Sequence, residues 1–231
     1  MSNSSREEIL HTIRKRLEGV GRDEKKISVD TKRNFRSETE EVQKLIDESQ
    51  SALITQFIDE LKNVNTNVIE AGGEEKAKSS LQDLIKEKEL KSFAIWESQF
   101  LKEINLKQEL KDSGLKLITA KNKNRIAKAD IGITEVDYAI ADTGTLVLIA
   151  DKNQPRSVSL LPPIHLAIMR PENLARNIND LFIILKSKLE ASEDITSCMT
   201  FITGPSRTAD IELSLTLGVH GPKELYVVFL L

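Results

Sequence analysis

The sequence predicts an α/β protein with a mainly parallel sheet flanked by helices, preceded by an N-terminal helical extension. Short β-compatible apolar runs alternate with helical stretches from about residue 66 onward, the pattern of crossover units. The chain has 231 residues, enough to bury a substantial core. Its 39% hydrophobic and 30% charged content is that of a folded chain and not of a disordered one.

Residues 4–18 read as an amphipathic helix. Ser4 with Glu7, or Ser5 with Glu8, has capping-box spacing, and Ile9, Ile13 and Leu17 recur on one face beside Leu10. That helix either packs on its own domain or docks a partner protein. Residues 19–36 are polar and aperiodic and read as a linker or arm, so the expected division is 1–36 as helix and arm, and 37–231 as the α/β domain. A second helix is expected over 38–62, with Val42, Leu45, Ile46, Leu53, Phe57 and Leu61 on a broad apolar face. A strand over 66–69, a helix over 74–89, and strands over 92–95 and 115–119 follow, with helical segments between them.

From residue 131 to 150 the chain is apolar with turn signals at Gly132, Asp137 and Gly144. Tyr138–Ala141 and Leu146–Ala150 read as consecutive strands around a tight turn. His165–Met169 is a further strand after Pro162-Pro163. Pro171 sits where a helix would start, with Glu172 in its first turn and Leu174, Ile178, Leu181, Leu185 and Leu189 as its buried stripe. Strands over 200–203 and 226–230 complete the reading.

The net charge of −3 gives no electrostatic reason to expect nucleic acid as a partner. The single cysteine, Cys198, excludes an internal disulfide and a thiolate-held iron–sulfur cluster within this chain. No stretch of about twenty apolar residues suggests a membrane span, and the first residues have no apolar signal core, which makes a cytoplasmic location the expectation.

Two polar loops could carry chemistry. In GPSRTADIE, Gly204 permits close backbone approach, and Ser206, Arg207 and Thr208 offer donors near an expected helix start, which suits an anion. Asp210 and Glu212 add carboxylates. The competing reading is a capped loop in which Ser206 or Thr208 caps, Arg207 pairs with an acid and nothing binds. In ADTGT, Asp142, Thr143, Gly144 and Thr145 lie between two apolar runs, and ordinary turn chemistry explains them equally well. An aspartic-protease dyad would need a second Asp-Thr-Gly copy, and the chain has none. His220, flanked by glycines, and His165, at a strand entrance, could act as bases or bind a carboxylate, or serve as structural hydrogen-bonding residues. Their spacing with Asp210 is too irregular for a metal site, so none is expected. Gly72-Gly73 lacks both glycine fingerprints and reads as a plain turn. Trp96, Cys198 and the lysines between Lys107 and Lys128 read as packing or solvated surface.

The blocks AKADIGITEVDYAIADTGTLVLIA, LLPPIH and FITGPSRTADIELSLTLGVHGPKELYVVFL, in that order, resemble the lactate-utilisation protein C family (LUD domain). The resemblance spans roughly residues 125–230. SREEILHTIRKRL also looks like that family's N-terminal helix. The resemblance implies a fold similar to the NagB/RpiA/CoA-transferase-like group. It also implies a part in oxidising L-lactate to pyruvate with two partner proteins that carry the iron–sulfur clusters, and no cofactor in this chain. The family often has Glu where this chain has Asp142, a shorter carboxylate. The expected ligand is a small carboxylate or phosphate-containing molecule held by Thr143, Gly144, Thr145, His165, Gly204, Ser206, Arg207, Thr208 and Glu212. Asp142, His220 and Asp210 are the candidates for a catalytic role. The alternatives are a stand-alone acyl- or CoA-transfer enzyme with Asp142 as nucleophile, and a non-catalytic adaptor.

Overall fold

The structure is a computed structural model that describes residues 50–119, 123–191, 198–209 and 215–230. The expected N-terminal helix, the arm over 19–36 and the first part of the second helix lie outside the described residues, as do Asp210 and Glu212.

Three helix–strand units open the fold and share one exit device. Helix α1 (Gln50–Asn63) buries Leu53, Phe57, Ile58 and Leu61, and leads to strand β1 (Asn67–Ala71). Helix α2 (Glu74–Glu87) leads to β2 (Ser92–Ile95), and the short helices α3 (Gln99–Glu103) and α4 (Leu106–Asp112) lead to β3 (Lys116–Leu117). In each unit one residue turns left-handed just past the helix: Asn65 (φ 60°), Glu89 (φ 52°) and Gly114 (φ 87°). Their amides bond Lys62 O, Lys86 O and Lys111 O, and the next amides, of Thr66, Leu90 and Leu115, bond Leu61 O, Ile85 O and Leu110 O. This is the Schellman pattern, which consumes the orphan carbonyls of the last turn and fixes the angle at which the chain enters the sheet.

The main sheet has six strands in the order β1-β12-β7-β4-β2-β3, all parallel, where β4 is Ile131–Glu135, β7 is Ile164–Met169 and β12 is Glu224–Leu230. The mainly parallel sheet flanked by helices is therefore present. Its inner strands β7 and β12 are buried almost end to end, as a sheet covered on both faces requires. Phe57 of α1 meets Phe229 of β12 with ring centroids 6.2 Å apart, whereas α2 packs toward Val228 and Leu230. Adjacent strand residues point to opposite faces, so α1 and α2 cover opposite sides of the sheet.

Between β4 and β7 the chain builds part of a second sheet, in the order β8-β5-β6-β9: β5 is Tyr138–Ile140, β6 Thr145–Ala150, β8 Leu174–Ala175 and β9 Cys198–Ile202. One face, with Tyr138, Ile140, Val147 and Ala175, packs on Leu181 and Leu185 of helix α6 (Ile178–Ala191). The alternating residues Ala139, Leu146 and Leu148 join the main core. A two-stranded ribbon pairs β10 (Arg207–Ala209) with β11 (Leu215–Leu217) in antiparallel register.

Two expectations need correction, and one strand was not anticipated. Ile131–Glu135, left unassigned in the sequence, is a central strand of the main sheet paired with β2 and β7. Pro171 opens only a short 3-10 turn. The long helix starts later, at Asn177, whose Oδ1 accepts the amides of Asn179 (2.9 Å) and Asp180 (3.0 Å). Leu174 is therefore buried as a strand residue, and Ile178 is 47% exposed. Finally, Arg207–Ala209 is extended and paired with Leu215–Leu217, so no helix begins at Ser206–Thr208.

Gly132 of β4 lies directly beneath the short helix α5 (Ser157–Leu160). A methyl group there would sit 1.9 Å from the backbone oxygen of Val158. Gly132→Ala must push α5 off the sheet, and urea denaturation should show a loss of at least about 3 kcal/mol. Gly72→Ala, where a Cβ meets only the Lys76 side chain at 3.5 Å, should change stability by less than about 1 kcal/mol.

Candidate functional site

The ADTGT and GPSR loops come together on the C-terminal end of α1. Ala141–Thr143 forms one turn of 3-10 helix, and Gly144 follows in the left-handed region (φ 59°). A Cβ on Gly144 would lie 2.7 Å from the carbonyl carbon of Glu60 and 2.8 Å from the amide of Leu61. Gly204 (φ 80°) approaches the next residues of the same helix end, where a Cβ would lie 2.5 Å from Val64 O. Both turns need glycine for their backbone angle and for the contact they make.

Arg207 completes this socket. Val64 is the C-cap of α1, and its carbonyl accepts Nη2 of Arg207 at 2.9 Å. A cation on a helix C-terminus is favoured by the helix dipole. At least one guanidinium donor expected for an anionic ligand is thus on a backbone carbonyl, at the helix end that repels anions. Arg207 is thus engaged within the fold, but its partner is a backbone carbonyl and not the acid that the capped-loop reading expected.

A chain of three hydroxyls links the two loops. Thr145 Oγ1 lies 2.7 Å from Thr143 Oγ1 and 2.8 Å from Thr203 Oγ1. Thr145 is buried, whereas Thr143 and Thr203 are exposed. Two bonds among three hydroxyls use two of the three O–H donors, which leaves one to point outward from an exposed end. Asp142 beside them is exposed, and its amide donates to Arg176 O at 3.1 Å. Thr203 was missing from the sequence reading. Its signal was there in ITGPS, as a hydroxyl at the strand end beside the expected loop.

Ser206 joins the cluster through its backbone. Its amide bonds Pro222 O and its carbonyl accepts Gly218 N, both at 2.9 Å, so the 218–222 turn that carries His220 lies against it. His220 is exposed. Thr208 faces Thr216 across the β10–β11 ribbon. The structure thus gathers Thr143, Gly144, Thr145, Gly204, Ser206 and Arg207, with His220 on the adjoining turn.

His165 stands apart. It is fully buried in β7, with Nε2 2.9 Å from Thr134 Oγ1 and no partner at Nδ1. Burial alone pushes its pKa down to about 3, so the ring is neutral in the physiological range. The arrangement that leaves a bare acceptor at Nδ1, with Nε2–H donating to Thr134, has the smaller desolvation cost.

Two charged groups near the ends of the central strands escaped the sequence reading. Arg170, just past β7, bonds Glu135 at 2.9 Å, lies 3.3 Å from Glu172 and stacks 4.6 Å over the Phe100 ring. Asp137, between β4 and β5, accepts the Ile149 amide at 2.7 Å. Desolvation, reinforced by the charges of Glu135 and Asp151, raises its pKa to about 6, against the pull of the Ile149 bond and Lys188. A lone acid in VDYAIA, with apolar residues on both sides, was the available signal.

The architecture defines a class: a crossover-linked parallel sheet with an antiparallel insertion clamped to its first helix. The chain belongs to the LUD domain family, which matches residues 54–230. Lactate utilization protein C 1 of Bacillus mycoides is 30% identical over 188 residues, covering 78% of this chain and 80% of that protein. Lactate utilization protein C of Shouchella clausii is 31% identical over 191 residues, covering 80% and 82%. Lactate utilization protein C of Bacillus licheniformis reaches 41%, but over 108 residues, 46% of this chain and 45% of that protein. The chain thus spans a little under half the length of the curated relatives it matches at about 40% identity. A solved DUF162 family protein from Deinococcus radiodurans shares the fold, with a TM-score of 0.56 at 17% identity over 79% of this chain and 98% of that one. Among the described residues no helix is long and apolar enough to cross a membrane, and no cluster of metal-ligating side chains occurs.

Asp137 gives a signed pH prediction. Its folded pKa of about 6 exceeds the ordinary 3.8, so the native state keeps a proton that the unfolded chain has lost. Stability from this group is present below about pH 4 and is lost as pH rises through about 6. Asp137→Asn keeps an acceptor for Ile149 N–H and removes that loss. Thermal melts should show a higher Tm than wild type at pH 8 and no gain at pH 4.

Proposed function

We propose that this chain is a subunit of an L-lactate oxidation system, required for the use of lactate as a carbon source. The observation that carries this reading is the match to two relatives named lactate utilization protein C over about four fifths of each chain. One cysteine cannot supply the thiolates of an iron–sulfur cluster, which supports placing the redox centres in two partner proteins. The open polar face formed by Asp142, Thr143 and Thr203 is the place for a small acidic ligand or a partner's polar surface. Its outward hydroxyl donor suits a carboxylate oxygen. Asp142 would then act as an orienting or repelling charge, at the mouth of that face. No membrane insertion is needed for this role, and a cytoplasmic location fits it.

Deletion of the gene in its source organism tests the proposal. Growth with L-lactate as the only carbon source should be lost, growth on glucose should persist, and the intact gene should restore lactate growth. Unchanged growth on lactate would refute the assignment. Thr143→Val together with Thr203→Val should still fold, at a cost of about 1–3 kcal/mol because buried Thr145 loses both partners, and should restore growth poorly, because the hydroxyl face is gone while the α1 socket is kept.

A further inference from the structure

Away from the two signature loops, described residues on either side of 120–122 line a concavity beside β3, an edge strand of the main sheet. Lys116, Leu117, Ile118 and Thr119 form one wall of a concavity of about 320 Å3, and Arg125 and Lys128 form the other. Among the described residues, none of the three cations makes an ion pair. The nearest acid in sequence, Asp130, is committed elsewhere. Its Oδ2 accepts the amides of Lys91 (2.9 Å) and Ser92 (2.8 Å) and the Ser92 hydroxyl (2.9 Å). No carboxylate lines the concavity, although the chain as a whole carries a net charge of −3.

We infer that this concavity is a binding site for a polyphosphate group. Three exposed cations without an ion pair line one concavity together with Thr119, and a multiply charged anion is the ligand that neutralises them together. A monocarboxylate such as lactate carries too little charge to do so. Nucleic acid fits poorly, because among the described residues no aromatic side chain lines the walls and three cations do. The site is separate from the face assigned to lactate utilisation, so either can fail without the other.

Calorimetric titration of the full chain with inorganic pyrophosphate at low salt tests the assignment, with triphosphate and ATP as further arms. Saturable binding is expected. It should weaken at least about tenfold in Lys116→Gln/Arg125→Gln and as salt is raised. Lys62→Gln, which removes an exposed lysine on α1, should leave it unchanged. ATP binding more tightly than triphosphate would show that the nucleoside is also held, and equal binding would show a site that reads phosphate alone. Absence of saturable pyrophosphate binding would overturn the inference, as would equal losses in Lys62→Gln or equal binding of acetate. The melting temperature of the ligand-free double variant should match wild type. In that case lost binding reports the site and not the fold, and the cations do more than guard the sheet edge.

Discussion

The fold depends on how closely two turns approach the end of one helix. The last carbonyls of α1 are met on one side by Gly144 and on the other by Gly204, with Arg207 capping Val64. Those turns lie at the same end of the antiparallel β6–β9 pairing, since Gly144 precedes β6, Gly204 follows β9 and Leu146 pairs with Ile202. Clamping them on α1 therefore anchors that end of the second sheet against a helix that also packs on β12 through Phe57 and Phe229. The Thr143–Thr145–Thr203 chain ties the two turns to each other at the same point. Without that contact the insertion would keep α6 on one face but lose the register of the other.

This contact changes what the signature loops mean. Asp-Thr-Gly and Gly-Pro-Ser-Arg look like ligand-binding sequences because glycine, hydroxyls and a guanidinium are what ligands require. A helix C-terminus requires the same groups, for close approach, for turn bonding and for carbonyl capping. Gly144, Gly204 and Arg207 serve the helix. Asp142, Thr143 and Thr203 remain on the outside, and they are what the loops have left to offer a ligand. The division separates residues whose loss should open the clamp from residues whose loss should alter function at a smaller cost in stability.

Much of the main sheet was legible because each helix–strand unit is locally consistent. The strand Ser92–Ile95 and the helix from Glu74 stand where their periodicity places them, and each preceding helix stops at a residue able to turn left-handed. The second sheet was not legible. Strands β5 and β6 carry the same apolar runs as the parallel strands, and periodicity does not say which sheet a buried run joins. Pro171 misled because proline suits the start of an α-helix and of a 3-10 turn equally well, and the Asn177 cap that decided the matter lies six residues later. In the site, Arg207 was legible as a functional donor but its partner was not. Val64 is 143 positions away, and only the fold brings it within reach. His165 read as a possible site residue at a strand entrance and is instead fully buried in β7.

Amide hydrogen exchange on Gly204→Ala, read at α1's last turn and on β9, tests the clamp most directly. The added methyl must displace Val64 O, so the account predicts faster exchange at Leu61–Thr66 and across β9. Global stability should fall by at least about 2 kcal/mol, with α2 and β2 still protected. Unchanged exchange and stability in that variant, with lactate-dependent growth abolished, would contradict it and return Gly204 to a ligand site.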